Sequence, residues 1–250
     1  MTSVNTLDIT AMQAPGPIFK EVKRGIVTAL MRGEWAPGGA IPPEPKLAER
    51  YGISIGTVRR AIDELVAENV LVRQQGRGTF VASHGRDRMR FLFFNIVRHD
   101  GVKDYPIVRL ERFRKRRADE ETSTRLRIAP RSPVFWFRNS LWLEGRAVMI
   151  DDISVPAALF EGMSEALLRT RDSSIYQLYQ ERFGISVVRT GETVRAIAAP
   201  EEVAALLDVP LGAPLLEIRR VAYALHDRPV EFRRSWVDST RHEYRRDAGI

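Results

Sequence analysis

The stretch Ile41 to Ser83, IPPEPKLAERYGISIGTVRRAIDELVAENVLVRQQGRGTFVAS, leaves the chain fewer folding options than any other segment. Its first part predicts a short helix, Glu44 to Arg50, with Leu47 and Ala48 facing inward. Tyr51-Gly52-Ile53 must then turn the chain, and Gly52 takes a positive φ at least cost. Ser54 is placed to cap a second helix, because its hydroxyl can accept from a first-turn amide that has no helical partner. Val58, Ile62 and Leu65 recur at helical spacing and mark a buried stripe. Gly56, Thr57, Arg60 and Asp63 fall on the opposite side, with Arg59 at the edge. Helix, tight turn, helix is the arrangement that lays a second helix in the major groove of DNA by its N-terminal residues. Val70-Leu71-Val72 and Thr79-Phe80-Val81 predict two strands joined across Arg73-Gln74-Gln75-Gly76-Arg77-Gly78. The glycines there allow close backbone approach and Arg77 supplies charge, which makes this hairpin a wing.

Ile41-Pro42 with Glu44, Leu47-Ala48, Gly56-Thr57-Val58-Arg59-Arg60-Ala61 and Gln75-Gly76-Arg77-Gly78-Thr79-Phe80-Val81 carry a resemblance. Together they make Gly16 to Ser83 similar to the winged helix-turn-helix of the GntR family of bacterial transcription regulators. The resemblance implies that Glu44, Ser54, Ile55, Gly56, Thr57, Arg59, Arg60 and Gln75 meet double-stranded operator DNA. It likewise implies that Gly76, Arg77 and Gly78 enter the minor groove. Two residues depart from the family pattern. Pro43 stands where the family has a Ser cap, a loss of about 1 kcal/mol, although Pro is tolerated in a first helical turn. Ile55 stands where the family has an Arg that reads a base. An Ile can touch a thymine methyl but cannot bond guanine bidentately, so DNA binding is expected with an altered base preference.

Length and charge set wider bounds. A chain of 250 residues can hold two domains with cores of their own. No apolar run approaches the ~18 residues of a membrane span. The first 15 residues lack the basic start and apolar centre of a secretory signal, and are expected to be a mobile arm. The absence of cysteine excludes disulfides and thiolate metal sites and permits a reducing cytoplasm. Net charge is +7, which suits a polyanionic partner. Residues 1–83 carry 10 basic against 8 acidic side chains, residues 84–150 carry 16 against 8, and residues 151–250 carry 13 against 16. The basic excess lies in the middle of the chain, so charge alone would point to the wrong segment as the DNA reader.

Before the motif, Ile18, Val22, Ile26 and Leu30 are four apart and predict a supporting helix to Met31. After it, residues 84–89 are short, polar and charged, as a linker would be. The pattern then changes to strands: Phe91 to Val97, Ile107 to Arg117 with one slip in its alternation, Val134 to Leu143 and Ala147 to Val155 about a turn at Glu144-Gly145-Arg146. A helix is expected from Pro156 to Leu168 and another from a Ser173 or Ser174 cap to Arg182. A strand from Ile185 to Ala198, a helix from Pro200 to Leu207, a hairpin of Leu215 to Leu225 with Val230 to Val237, and a tail from 241 complete the reading.

The runs Leu143 to Asp151, Pro156 to Phe160, Ser174-Ile175-Tyr176, Gly212 to Leu216 and Arg228-Pro229-Val230-Glu231 resemble the UTRA domain, the effector-sensing module of one GntR subfamily. The expected fold class is therefore α+β. A winged helix-turn-helix at 16–83 is followed by a chorismate lyase-like antiparallel sheet with helices at 90–240. By resemblance Asp151, Glu231, Ser174 and Tyr176 would hold a small effector, with Arg138 and Asn139 beside them. A carboxylate pair with hydroxyls suits hydroxyl- or amine-bearing ligands. Members that sense sugar phosphates use two Arg on the strand before the turn, and Asn139 and Leu141 occupy those positions here. Arg138 should face away from them, so a phosphosugar is not expected unless Arg138 or Arg90 substitutes. The histidine-utilisation repressors make a closer comparison.

The expectation is a homodimeric, cytoplasmic repressor that needs no cofactor or metal. Its partners are operator DNA and an effector, and it has no membrane partner. The rivals are a lyase-like enzyme on the second fold and an architectural DNA protein indifferent to sequence. Against the first, four scattered histidines lack metal spacing and no nucleophile elbow is visible. The lysines are Lys20, Lys23, Lys46, Lys103 and Lys115, which leaves no late lysine for a Schiff base. Against the second, residues 151–250 form a large segment that is not basic.

Overall fold

The computed structural model describes residues 17–83, 94–171 and 173–245. The chain divides into two compact units, Met1–Ser83 and His84–Ile250. The expected arm and linker lie outside the described residues.

In the first unit, helix α1 (Ile18–Met31) buries Phe19, Val22, Ile26, Val27 and Ala29. Ile18 itself is exposed, and Phe19 takes its place at the head of the stripe. Helix α2 (Glu44–Tyr51) buries Leu47 and Ala48 and ends at Gly52, whose φ of 64° is left-handed. Helix α3 (Ile55–Ala67) buries Val58, Ala61, Ile62 and Leu65. Gly25 lets α1 lie close to α2, because a Cβ there would sit 2.9 Å from Cε1 of Tyr51. Strands β1 (Leu71–Gln74) and β2 (Gly78–Val81) pair antiparallel around a turn with Gly76 and Gly78 at positive φ. This hairpin is tighter than the sequence pattern suggests, by two residues on the β1 side and one on the β2 side.

The second unit is built on a six-stranded antiparallel sheet. Its strands are β4 (Ile107–Arg117), β5 (Pro133–Leu143), β6 (Arg146–Pro156), β7 (Arg189–Ala198), β8 (Pro214–Ala224) and β9 (Arg228–Val237). Their order across the sheet is β4-β5-β6-β9-β8-β7. The slip read in β4 is a bulge between Leu110 and Arg112 against β5. The β5–β6 turn sets Glu144 and Gly145 at φ of 49° and 78°, as a tight hairpin of twisted strands requires. A separate pair, β3 (Ile96–Arg98) with β10 (His242–Tyr244), is also antiparallel.

Both sheet faces are covered. On one, Phe135, Phe137, Ile153, Val155 and Ala222 pack on Leu168 of α5 (Glu165–Thr170) and on Ile175, Tyr176 and Tyr179 of α6 (Ile175–Phe183). On the other, Ile150, Leu215 and Trp236 pack on Val203, Ala204 and Leu207 of α7 (Glu201–Leu207). Beside them Val134, Val221 and Phe232 meet Leu126 of α4 (Glu120–Leu126).

Four expectations change. The strand expected from Ile185 begins only at Arg189. The helix expected over Pro156 to Leu168 shrinks to α5 because β6 runs on to Pro156 and Ser164, not Pro156, caps the helix. The start expected at Phe91 for the first strand lies outside the described residues, and the strand seen begins at Ile96. The stretch expected as a tail contains β10. One helix, α4, has no sequence-based counterpart: EETSTRL shows little apolar periodicity, and the helix depends on Asp119 capping Thr122 N at 2.7 Å.

Candidate DNA interface and effector cavity

The start of α3 is polar, exposed and fixed in place. Ser54 Oγ accepts from Thr57 N at 3.2 Å and lies 2.9 Å from Thr57 Oγ1. Ile55, Gly56, Arg59 and Arg60 are exposed on the turns that follow. Ile55 is 44% exposed, an apolar side chain on a polar face. Arg59 donates from Nε to Glu44 at 2.9 Å, and Arg73 from β1 reaches Glu44 at 3.2 Å and Asp63 at 2.6 Å. Pairs this exposed are worth about 0–1 kcal/mol, so a phosphate or base edge can displace them. Arg60 sits 4.1 Å over the Phe19 ring, which anchors it to α1. Gln75, Gly76, Arg77 and Gly78 form the exposed tip of the hairpin. Pro43 is the N-cap of α2 and makes no side-chain cap; Leu47 N bonds to its carbonyl at 3.1 Å.

In the second unit a cavity of about 60 Å³ opens between the sheet and the start of α6. Asn139, Asp151 and Ser174 line it. Alternation explains the company they keep: Asn139 and Asp151 are register partners on β5 and β6 and point to the same face. Asp151 accepts from Ser235 Oγ at 2.6 Å and from Arg233 Nη1 at 2.9 Å. Glu231 accepts from Tyr176 Oη at 3.1 Å, Tyr179 Oη at 2.8 Å and Arg233 Nε at 2.9 Å. Burial pushes the Asp151 carboxyl above its ordinary range against the pull of Arg233. Burial also raises the Tyr176 and Tyr179 phenols, with Glu231 adding to it, so both stay protonated donors. Burial opposes the charge on Arg233, but Glu231 and Asp151 outweigh it. Ser174 caps α6 by accepting from Gln177 N at 3.1 Å while also lining the cavity.

Arg138 is not among these groups. It lies on the opposite sheet face, bound to Asp152 at 2.6 Å and Glu202 at 2.8 Å, because β5 alternates. Three cavity-wall arginines escaped the sequence reading: Arg171, Arg220 and Arg233. Arg233 was legible, since it is two residues from Glu231 on one strand and shares its face. Arg171 follows α5 in a loop and offers no periodic signal.

A helix pair with a wing in one unit, and a sheet-lined polar cavity in the other, are the parts of a ligand-responsive DNA-binding transcription regulator. The profile described as "Bacterial regulatory proteins, gntR family" matches residues 19–81, and the UTRA domain profile matches residues 103–243. The "Histidine utilization repressor" of Klebsiella aerogenes is 31% identical over 213 residues, covering 83% of this chain and 85% of that protein. The "Probable fructoselysine utilization operon transcriptional repressor" of Escherichia coli K12 is 29% identical over 219 residues, covering 85% and 87%. Among solved structures, the ligand-binding domain of a Bordetella bronchiseptica protein assigned to the GntR-family regulators superposes with a TM-score of 0.61 at 31% identity. It covers 64% of this chain and 99% of that one. This chain belongs to the GntR family of bacterial regulatory proteins, in the branch that carries a UTRA domain.

Proposed function

We propose that the chain is a cytoplasmic repressor that binds a palindromic operator as a homodimer, without a catalytic step. Ser54, Ile55, Gly56, Thr57, Arg59 and Arg60 meet the major groove, and Gln75, Gly76, Arg77 and Gly78 follow the backbone into the minor groove. Glu44 holds Arg59 and Arg73 ready for that surface. The observation that carries the reading is the exposed, Ser54-capped start of α3 beside a Gly-Arg-Gly hairpin tip. Two-fold pairing on a palindrome doubles the bases read by one module. The repressor role is supported by the names of the relatives above. Asp151, Glu231, Ser174, Tyr176 and Asn139 build the effector site, the carboxylates acting by fixing Arg233. Ligand binding alters operator affinity only through unequal affinity for the operator-competent and operator-incompetent states.

Fluorescence anisotropy with fragments of the gene's own promoter tests this. One fragment should bind well ahead of scrambled duplex, and Arg59→Ala should cost about 1–3 kcal/mol on that fragment if Arg59 reads a base. Equal affinity for every duplex, with and without small metabolites, would overturn the proposal.

A further inference from the structure

All four oxygens of Asp151 and Glu231 already accept a hydrogen bond inside the protein. Arg220 is paired with Glu192. Two arginines on the cavity wall, Arg233 and Arg171, keep donors for which no partner is seen among the described residues. Arg233 is 6% exposed, yet its Nη2 has no hydrogen-bond partner. Arg171 lines the same cavity, spends Nη1 on Leu168 O at 2.6 Å, and has no carboxylate partner among the described residues. Burial disfavours its charge, Tyr179 and Tyr105 offset this in part, and Arg233 adds to it, so a negative group beside Arg171 would favour the charged form. Helix α6 begins at Ser174 on the same wall and brings the positive end of its dipole there. Val108, Leu141, Met149 and Ile218 give the wall an apolar part, while Asn95, Tyr105, Ser173 and Tyr244 also line it.

We propose that the effector is a small organic anion with an apolar body. Its oxyanion sits between Arg171 and the open Nη2 of Arg233, and its body lies on Leu141, Met149 and Ile218. The inference rests on the regulatory reading above and gives its effector a chemical class. Asp151 and Glu231 are positioning residues: they hold the Arg233 fork so that one edge stays free. The unpartnered Oδ1 of Asn139 offers an acceptor to a hydroxyl or N–H on the ligand body. An amine ligand, which bare carboxylates would have favoured, meets cations instead.

The test uses the full chain with its promoter fragment. Thermal stability and fragment affinity are measured with sodium butyrate, sodium benzoate and inorganic phosphate at millimolar concentration. Butyramide, benzamide and butylamine are the controls at equal ionic strength. At least one anion should raise the melting temperature and change fragment affinity while the amides and the amine do neither. Phosphate acting alone would assign the oxyanion to a phosphoryl group, and an acid acting alone to a carboxylate. Arg171→Gln should weaken the response on the order of tenfold to a hundredfold, the value of a charge-assisted hydrogen bond. Arg171→Lys should fall between, keeping the charge without the fork. The inference is overturned if amides or amine act as strongly, if the Arg171→Gln protein responds undiminished, or if no anion acts while promoter preference persists. Loss of promoter preference with the anion response intact would overturn the regulatory reading instead.

Discussion

Ser54 and Pro43 occupy equivalent places before successive helices and do different things. Ser54 satisfies an amide of α3 with its hydroxyl, whereas Pro43 offers α2 a carbonyl alone. Ser54→Ala should therefore destabilise the first unit by about 1 kcal/mol, read as a lower urea midpoint at unchanged slope. Ile55 is the residue on α3 whose chemistry is furthest from the rest of its face. Against DNA it can read a thymine methyl, worth about 0.8 kcal/mol per buried group. Replacing thymines of the bound promoter fragment one at a time by deoxyuridine should weaken binding at one position in each half-site. The same replacement should have no effect on the Ile55→Ala protein. Undiminished sensitivity in the variant would remove Ile55 from base reading.

At the scale of elements, the two faces of the sheet do different work. The face toward α6 holds the cavity, and the opposite face carries a ladder of charges across β8 and β9. There Glu217, 1% exposed, accepts from Arg195, from Arg219 at 3.0 Å and from Arg234. Burial alone would push its carboxyl up, but the hydrogen bonds from Arg195 and Arg234 hold it below its ordinary value of 4.5. A depressed carboxyl contributes stability that is complete above its unfolded value and is lost as pH falls through the folded one. The contribution of Glu217 should thus be intact at pH 7 and fade below pH 4.5. Glu217→Gln should cost about 2–3 kcal/mol at pH 7 and less at pH 3, measured by denaturant melts at both. A penalty independent of pH would mean that shape, not charge, is what the Arg cluster needs. The same scale explains what the sequence pattern missed: α4 rests on one cap and a tertiary contact at Leu126, and β10 on pairing with β3, and neither has local periodicity.

For the whole molecule, the uneven charge distribution makes a further prediction. The reading unit carries little of the net +7, with 10 basic against 8 acidic residues in 1–83. Non-specific binding should accordingly be weak, with a shallow salt slope set by the few phosphates neutralised, while promoter binding keeps an advantage of about a thousandfold or more at physiological salt. A salt titration on promoter and scrambled duplex checks this, and parallel lines of equal height would contradict it. No helix among the described residues is long and apolar enough to cross a membrane. By itself the sequence determined the elements whose signals are local: the helix pair and its Ser54 cap, the Gly-Arg-Gly wing, the bulged β4 and the hairpin at Gly145. These follow from periodicity, capping and backbone freedom within a few residues. Only the tertiary structure decided which charges are still available. Asp151 and Glu231 look in one dimension like a pair of open acceptors. Pairing of β6 with β9 brings Asp151 to Arg233, which already sits beside Glu231 on β9, and so closes off the oxygens of both carboxylates and leaves arginines on the cavity wall, because strand pairing joins residues that are distant along the chain.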